Sequence, residues 1–196
     1  MSTRKSPLYA ALAIVISLIV LASGAAKLYR GLNNLSSAGI DPKVGSLLKE
    51  SDAAIEEANR KLATVIPLFQ ELLGEFDTLG VAAFRSEKGV VCAKLSEQFA
   101  SISDHFQEAT NAIMEATKFE IDKKTTDFLI ARSKSYELAA KANKQNIDII
   151  RATLDESVVD TDSIVQKILA IAKSRDADQK AADEATAASD AILKRS

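Results

Sequence analysis

From Pro7 to Ala26 the chain runs PLYAALAIVISLIVLASGAA, without one charged residue. As a helix rising about 1.5 Å per residue, that run is roughly 30 Å long, the thickness of a bilayer's hydrocarbon core. A segment of this kind either stays in the membrane as an anchor or is removed as a secretory signal. Arg4 and Lys5 precede it, Lys27 and Arg30 follow it, and Tyr9 and Tyr29 stand near its two ends, where aromatic rings favour the headgroup layer. Ala22-Ser23-Gly24 and Gly24-Ala25-Ala26 offer the small residues a signal peptidase accepts. Leu28, Leu32 and Leu35, however, carry helical spacing on to the Gly39-Ile40-Asp41-Pro42 break, a continuation that a cleaved signal does not need.

The expected organisation is a basic tail over residues 1–6, a transmembrane helix acting as signal anchor over 7–26, a juxtamembrane stub and break over 27–40, and a bundle over 41–196. Short basic heads seldom cross a membrane. The amino terminus is therefore expected in the cytoplasm and the bundle outside, as in a bacterial inner-membrane protein facing the periplasm.

Four of the 25 basic residues flank the uncharged run, whereas all 27 acidic residues fall at or after Asp41. The bulk of the chain is thus net acidic and would repel a phosphate backbone, so no nucleic-acid partner is expected. A single cysteine, Cys92, excludes an internal disulfide. The absence of tryptophan, with only seven glycines and three prolines, favours long helices with few turns.

Periodicity gives the architecture. Val44, Leu48, Ser51, Ile55, Ala58, Leu62, Val65, Phe69, Leu72, Phe76 and Leu79 step alternately by four and three, a heptad seam. Asp41 suits an N-cap, Pro42 the first helical position and Gly80 a left-handed C-cap. A second seam runs Cys92, Leu95, Phe99, Ile102, Phe106, Ala109, Ile113 and Ala116; its helix starts either after a turn over residues 80–89 or already near Val81, with Gly89 tolerated inside it. A third helix, capped by Asp122, has its stripe at Leu129, Tyr136, Ala140, Ile147, Ile150 and Leu154. A fourth, capped by Asp160 or Thr161, has Val165, Ile168 and Ala172. The expected fold is all-α: an N-terminal transmembrane helix followed by a long antiparallel up-down-up-down four-helix bundle.

Three sets of residues stand out as candidate sites. Val81, Phe84, Val158 and Val159 fall at the end of the bundle distal to the span, either as an apolar plug or as an exposed partner-binding tip. Pro67 interrupts the first helix at an outward heptad position, as a kink or as a hinge. Arg132, Asn143 and Asn146 lie on or beside the apolar stripe of the third helix, where unpaired polar groups cost about 1–3 kcal/mol, so a buried polar network or a ligand pocket is expected there.

Catalytic patterns are missing from the sequence. One histidine, His105, and one cysteine do not make a zinc site, and no glycine-rich phosphate loop, nucleophile elbow or HExxH pattern is present. No enzyme activity, cofactor or metal is expected. RKLATVIPLFQELL, residues 60–73, resembles a stretch of the LemA family of membrane-anchored bacterial helical proteins. The resemblance covers these residues alone.

The function expected is that of a single-pass membrane-anchored scaffold or interaction protein of a cell envelope. It would hold lipid through residues 7–26 and a protein partner, or a second copy, through the bundle. The alternatives are a sensory or ligand-binding bundle and a secreted or pore-forming bundle released by cleavage.

Overall fold

The computed structural model of the chain describes residues 41–158 and 160–194, the Leu193 side chain excepted. The expected tail, span and stub of residues 1–40, and Val159, lie outside the described residues. Within these the protein is all-α, with four long helices and no strand: α1 (Pro42–Leu79), α2 (Val81–Ala116), α3 (Lys123–Leu154) and α4 (Thr161–Lys194). None of them is long and apolar enough to cross a membrane.

Local chemistry sets each boundary. Asp41 caps α1 by accepting from Lys43 N at 2.7 Å, with Pro42 at the first turn. Asp122 caps α3 through Thr125 N and Thr125 Oγ1 at 2.9 and 2.6 Å. Asp160 caps α4 in the same way through Ser163 N and Ser163 Oγ, at 2.9 and 2.6 Å. The α1–α2 connection differs from a ten-residue turn: Gly80 alone, at φ 75°, reverses the chain, and α2 starts at Val81. Positive φ is the conformation glycine adopts without a Cβ penalty, so one residue suffices. Gly89 then sits inside α2 with open space around its Cα.

Close packing joins each helix to the next in sequence, α1 to α2, α2 to α3 and α3 to α4, whereas α1 and α4 approach at isolated points at most. Phenylalanines fix the α1–α2 register. Phe69 meets Phe99 edge-to-face at 5.1 Å between centroids, and Phe76 meets Phe84 at 5.0 Å. Further polar ties keep that register at the surface: Lys61 Nζ donates to Ser101 Oγ at 2.7 Å and Lys88 Nζ to Glu75 Oε1 at 2.5 Å.

The α3 helix is buried on two sides. Phe128, Ser135, Ala142 and Ile149 form one fully buried stripe, which meets α4 where Ser135 Oγ bonds Thr186 Oγ1 at 2.6 Å. Ser133, Ala140 and Ile147 form the other, which meets α2 where Ser103 Oγ donates to the Ala140 carbonyl at 3.1 Å.

Because Phe99 is fully buried and stacked at the centre, Phe99→Ala is expected to cost about 3–5 kcal/mol. Thermal unfolding of the full chain measures this; a melting temperature close to that of the parent would contradict the assigned core.

Candidate functional site

The buried polar residues of α3 were the sharpest departure from an apolar seam, and the fold takes all three of them inside. Arg132, Asn143 and Asn146 are each almost wholly buried. They do not form one network. Arg132 Nη2 donates to Asp190 Oδ1 of α4 at 2.6 Å and its guanidinium lies 5.7 Å from the Phe128 ring centroid. Asn143 turns back on its own helix, giving Nδ2 to the Ala139 carbonyl at 2.9 Å. Asn146 Oδ1 faces Arg175 Nη1 of α4 at 3.4 Å.

Arg175 is the residue that sequence reasoning missed. It is fully buried and also bonds the Asp176 carboxylate beside it. The signal was present: extending Val165, Ile168 and Ala172 by three lands on Arg175, and continuing by four and three passes through Gln179, Ala182, Thr186 and Ser189. Of these Ala182 and Ser189 are fully buried. The α3–α4 interface therefore contains two buried cations, each tied to a different turn of its partner helix.

Tyr136 lies between the two levels, tilted against Phe106 at 6.3 Å between centroids. Burial pushes its phenol far above the ordinary range; Arg132 opposes that, while Asp52 and Asp190 add to it. The hydroxyl has no protein partner, nor have Arg132 Nε, Ser51 Oγ, Asn143 Oδ1 and Asn146 Nδ2.

The tip is closed. Phe84 is fully buried and Val81 nearly so, while Val158 is half-buried against the core. Arg85 seals the joint, donating from Nε to the Thr153 carbonyl at 3.1 Å and from Nη2 to the Asp155 and Val158 carbonyls at 2.6 and 2.8 Å. The exposed-patch reading of Phe84 is therefore corrected: Phe76 on α1 takes its ring edge-to-face, and the one-residue reversal at Gly80 forces that contact. Pro67 lies on the exposed face of an unbroken α1, as does Ala63, whose carbonyl loses its helical donor to the proline.

Lys61 and Ser101 stand at the distance of a serine–lysine pair, and Lys61 Nζ also lies 3.0 Å from His105 Nε2. The ammonium has only donors, so the ring accepts at Nε2 and gives its Nδ1 proton to Glu108 Oε2 at 3.0 Å. Ser101 is in mid-helix, where neighbouring backbone N–H groups are already bonded along α2, so this pair has no oxyanion donors beside it. It works as a clip between α1 and α2. Cys92 is fully buried, and burial pushes its thiol up, opposed by the Thr153 hydroxyl. Among the described residues no group of three acidic, histidine or cysteine side chains is placed to hold a metal.

An open groove of about 540 Å³ lies between the distal parts of α3 and α4, floored by Ala152, Leu154 and Ile171 and rimmed by Asp148, Arg151, Asp155 and Lys167. Lys167 Nζ holds Asp155 Oδ2 across it at 2.8 Å. No family model matches the chain, and neither a curated protein nor a solved structure matches it.

Two predictions follow from these ties. Asp190 is 40 per cent exposed and Arg132 only 2 per cent, so the two halves of the pair are not equivalent. Asp190→Ala leaves a buried cation without its bonded partner and is expected to cost about 3 kcal/mol, whereas Arg132→Met frees a carboxylate that water can reach and is expected to cost much less. Urea unfolding of the two variants tests the asymmetry; equal losses would refute it. At the tip, hydrogen bonds from Lys167 and Ser157 hold the Asp155 carboxyl at about 2, below its ordinary 3.8. A depressed acid stabilises the fold above its ordinary range and loses that effect as pH falls through the folded value. Carboxyl-carbon NMR should give an Asp155 midpoint near 2, with the bonds of Asp155 to Ser157 and Lys167 lost as pH falls through it; an ordinary midpoint would rule this out.

Proposed function

We propose that the protein is a membrane-tethered helical bundle that serves as a scaffold or docking component of a cell envelope. The observation that carries this reading is the uncharged run of residues 7–26, flanked by basic residues and tyrosines and long enough to span a bilayer. The bundle supports it. Its core is closed at the tip by Phe84 and Arg85, and large apolar side chains are left on the outer faces of the helices, Leu68 on α1, Val90, Val91 and Met114 on α2 and Ile130 on α3. Val90 is 71 per cent exposed, more than any other of them. A partner would meet these outer faces, not the ring of Phe84. Lipid is held through residues 7–26, and the bundle stands outside the membrane with the amino terminus in the cytoplasm.

Alkaline carbonate extraction with peptide mapping tests the reading. The protein is expected to stay with the membrane pellet and to yield peptides that include Pro7 to Ala26. Release into the soluble fraction as a chain beginning at Ala25 or Lys27 would replace the tether by a secreted bundle. Crosslinking in whole cells tests the second half: Val90→Glu should remove crosslinks to the partner without lowering the melting temperature.

A further inference from the structure

Lys61 holds His105 through a lone pair that the ring has only while it is neutral. Its Nζ lies 3.0 Å from His105 Nε2 and 2.7 Å from Ser101 Oγ, and an ammonium offers donors alone. Ser101 and His105 are one turn apart on α2, as Glu57 and Lys61 are on α1. The two helices run antiparallel, with Phe69 opposite Phe99 and Phe76 opposite Phe84, so Glu57 lies on the side of His105 away from Ser101. All four side chains are half-buried in this junction.

The charges around the ring come from two helices. On α1 they are Glu57, Arg60 and Lys61; on α2 Glu108 accepts from Nδ1 at 3.0 Å. Among the described residues no hydrogen bond or ion pair joins His105 to α3 or α4. Arg60 Nη2 bonds both Glu57 oxygens, at 2.6 and 2.7 Å, and this chiefly holds the Glu57 carboxyl below its ordinary range. Partial desolvation opposes that effect, while the charges of Arg60, Lys61 and His105 add to it, so Glu57 is within electrostatic reach of the ring. A carboxylate has about four acceptor positions, and Arg60 therefore leaves room for another donor.

A proton on Nε2 turns the ring into a donor that faces another donor. The Lys61 bond is then lost and two positive charges are left side by side, while the carboxylate one turn away offers what the imidazolium needs. We infer that His105 is a proton-operated latch between α1 and α2, held by Lys61 while the ring is neutral and by Glu57 once it is protonated. The ring takes the proton from solvent, Nε2–H donates to the Glu57 carboxylate, Nδ1–H stays with Glu108, and Lys61 keeps Ser101. The tie between the helices survives, displaced by one turn of α1. Histidine is the side chain whose charge ordinarily changes between about pH 5 and 8, which makes such a latch responsive to mild acid.

Double-variant cycles on the full chain, read as melting temperatures at pH 8 and pH 5, test the exchange. Lys61→Met with His105→Leu should be non-additive by about 1–3 °C at pH 8, and that coupling should vanish or reverse its sign at pH 5. Glu57→Gln with His105→Leu should be additive at pH 8 and non-additive by about the same 1–3 °C at pH 5, where the Glu57 carboxyl, held below 4.5, is still ionised. Nitrogen NMR of the ring reports the chemistry directly: at pH 8 the proton should sit on Nδ1, and in acid both nitrogens should carry one. A proton on Nε2 at pH 8, the same Lys61–His105 coupling at both pH values, or additive losses for Glu57 and His105 at pH 5 would each overturn the inference.

Discussion

The rest of the bundle is arranged around the burial of α3 along two heptad stripes at once. A helix with one apolar seam can be covered by a single neighbour; α3 presents Phe128, Ser135, Ala142 and Ile149 to α4 and Ser133, Ala140 and Ile147 to α2. Small residues recur on both stripes, which lets the neighbouring backbones come close. Between the stripes run Arg132, Tyr136, Asn143, Asn146 and Ile150, the part of α3 turned toward the interior. The two buried charged residues among those described, Arg132 and Arg175, are on this strip or face it. The close α3–α4 packing and the polar layers are two results of the same wide burial.

The bundle is correspondingly uneven from one side to the other. The α1–α2 half is an aromatic core, with Phe69, Phe76, Phe84, Phe99 and Phe106 all fully or almost fully buried. The α3–α4 half is more polar, and relies on Arg132–Asp190, Ser135–Thr186 and Asn146–Arg175 where the other relies on rings. Apolar area stabilises whatever the exact geometry, while a polar pair does so only when its partners meet. The α3–α4 half is therefore the more specific in register and the α1–α2 half the more stable.

How much of this is written in the sequence depends on whether a residue's position follows from spacing or from what lies opposite. The α1 seam from Val44 to Leu79 and the α2 seam from Cys92 to Ala116 follow from spacing, and their residues are buried apart from a half-exposed Leu62 and, at the end of α1, an exposed Leu79. The caps Asp41, Asp122 and Asp160 are equally legible, because a side chain bonding the next turn is local chemistry. The start of α2 is only half legible: the polar RSEK stretch and Gly89 suggest a turn, a helix from Val81 that tolerates Gly89 is the other reading, and the reversal at Gly80 alone decides for the second. The burial of Arg132, Asn143 and Asn146 could be read from their stripe, but their partners could not, since each partner belongs to a helix whose register is set elsewhere. Arg175 is legible in principle, since it continues the steps through Val165, Ile168 and Ala172, but its partner Asn146 lies on another helix.

The one-residue reversal at Gly80 also has a mechanical side. The other two connections, residues 117–122 and 155–160, are several residues long and can absorb a shift of one helix along its neighbour. Gly80 has no such slack, and Phe76 and Phe84 lock together immediately beneath it. A pull or push entering α1 from its Asp41 end would reach the far end of the molecule and return down α2 without being taken up in a loop. The α1–α2 hairpin is thus a stiff strut that moves as one piece, and the slack for sliding lies in the longer connections on either side of α3.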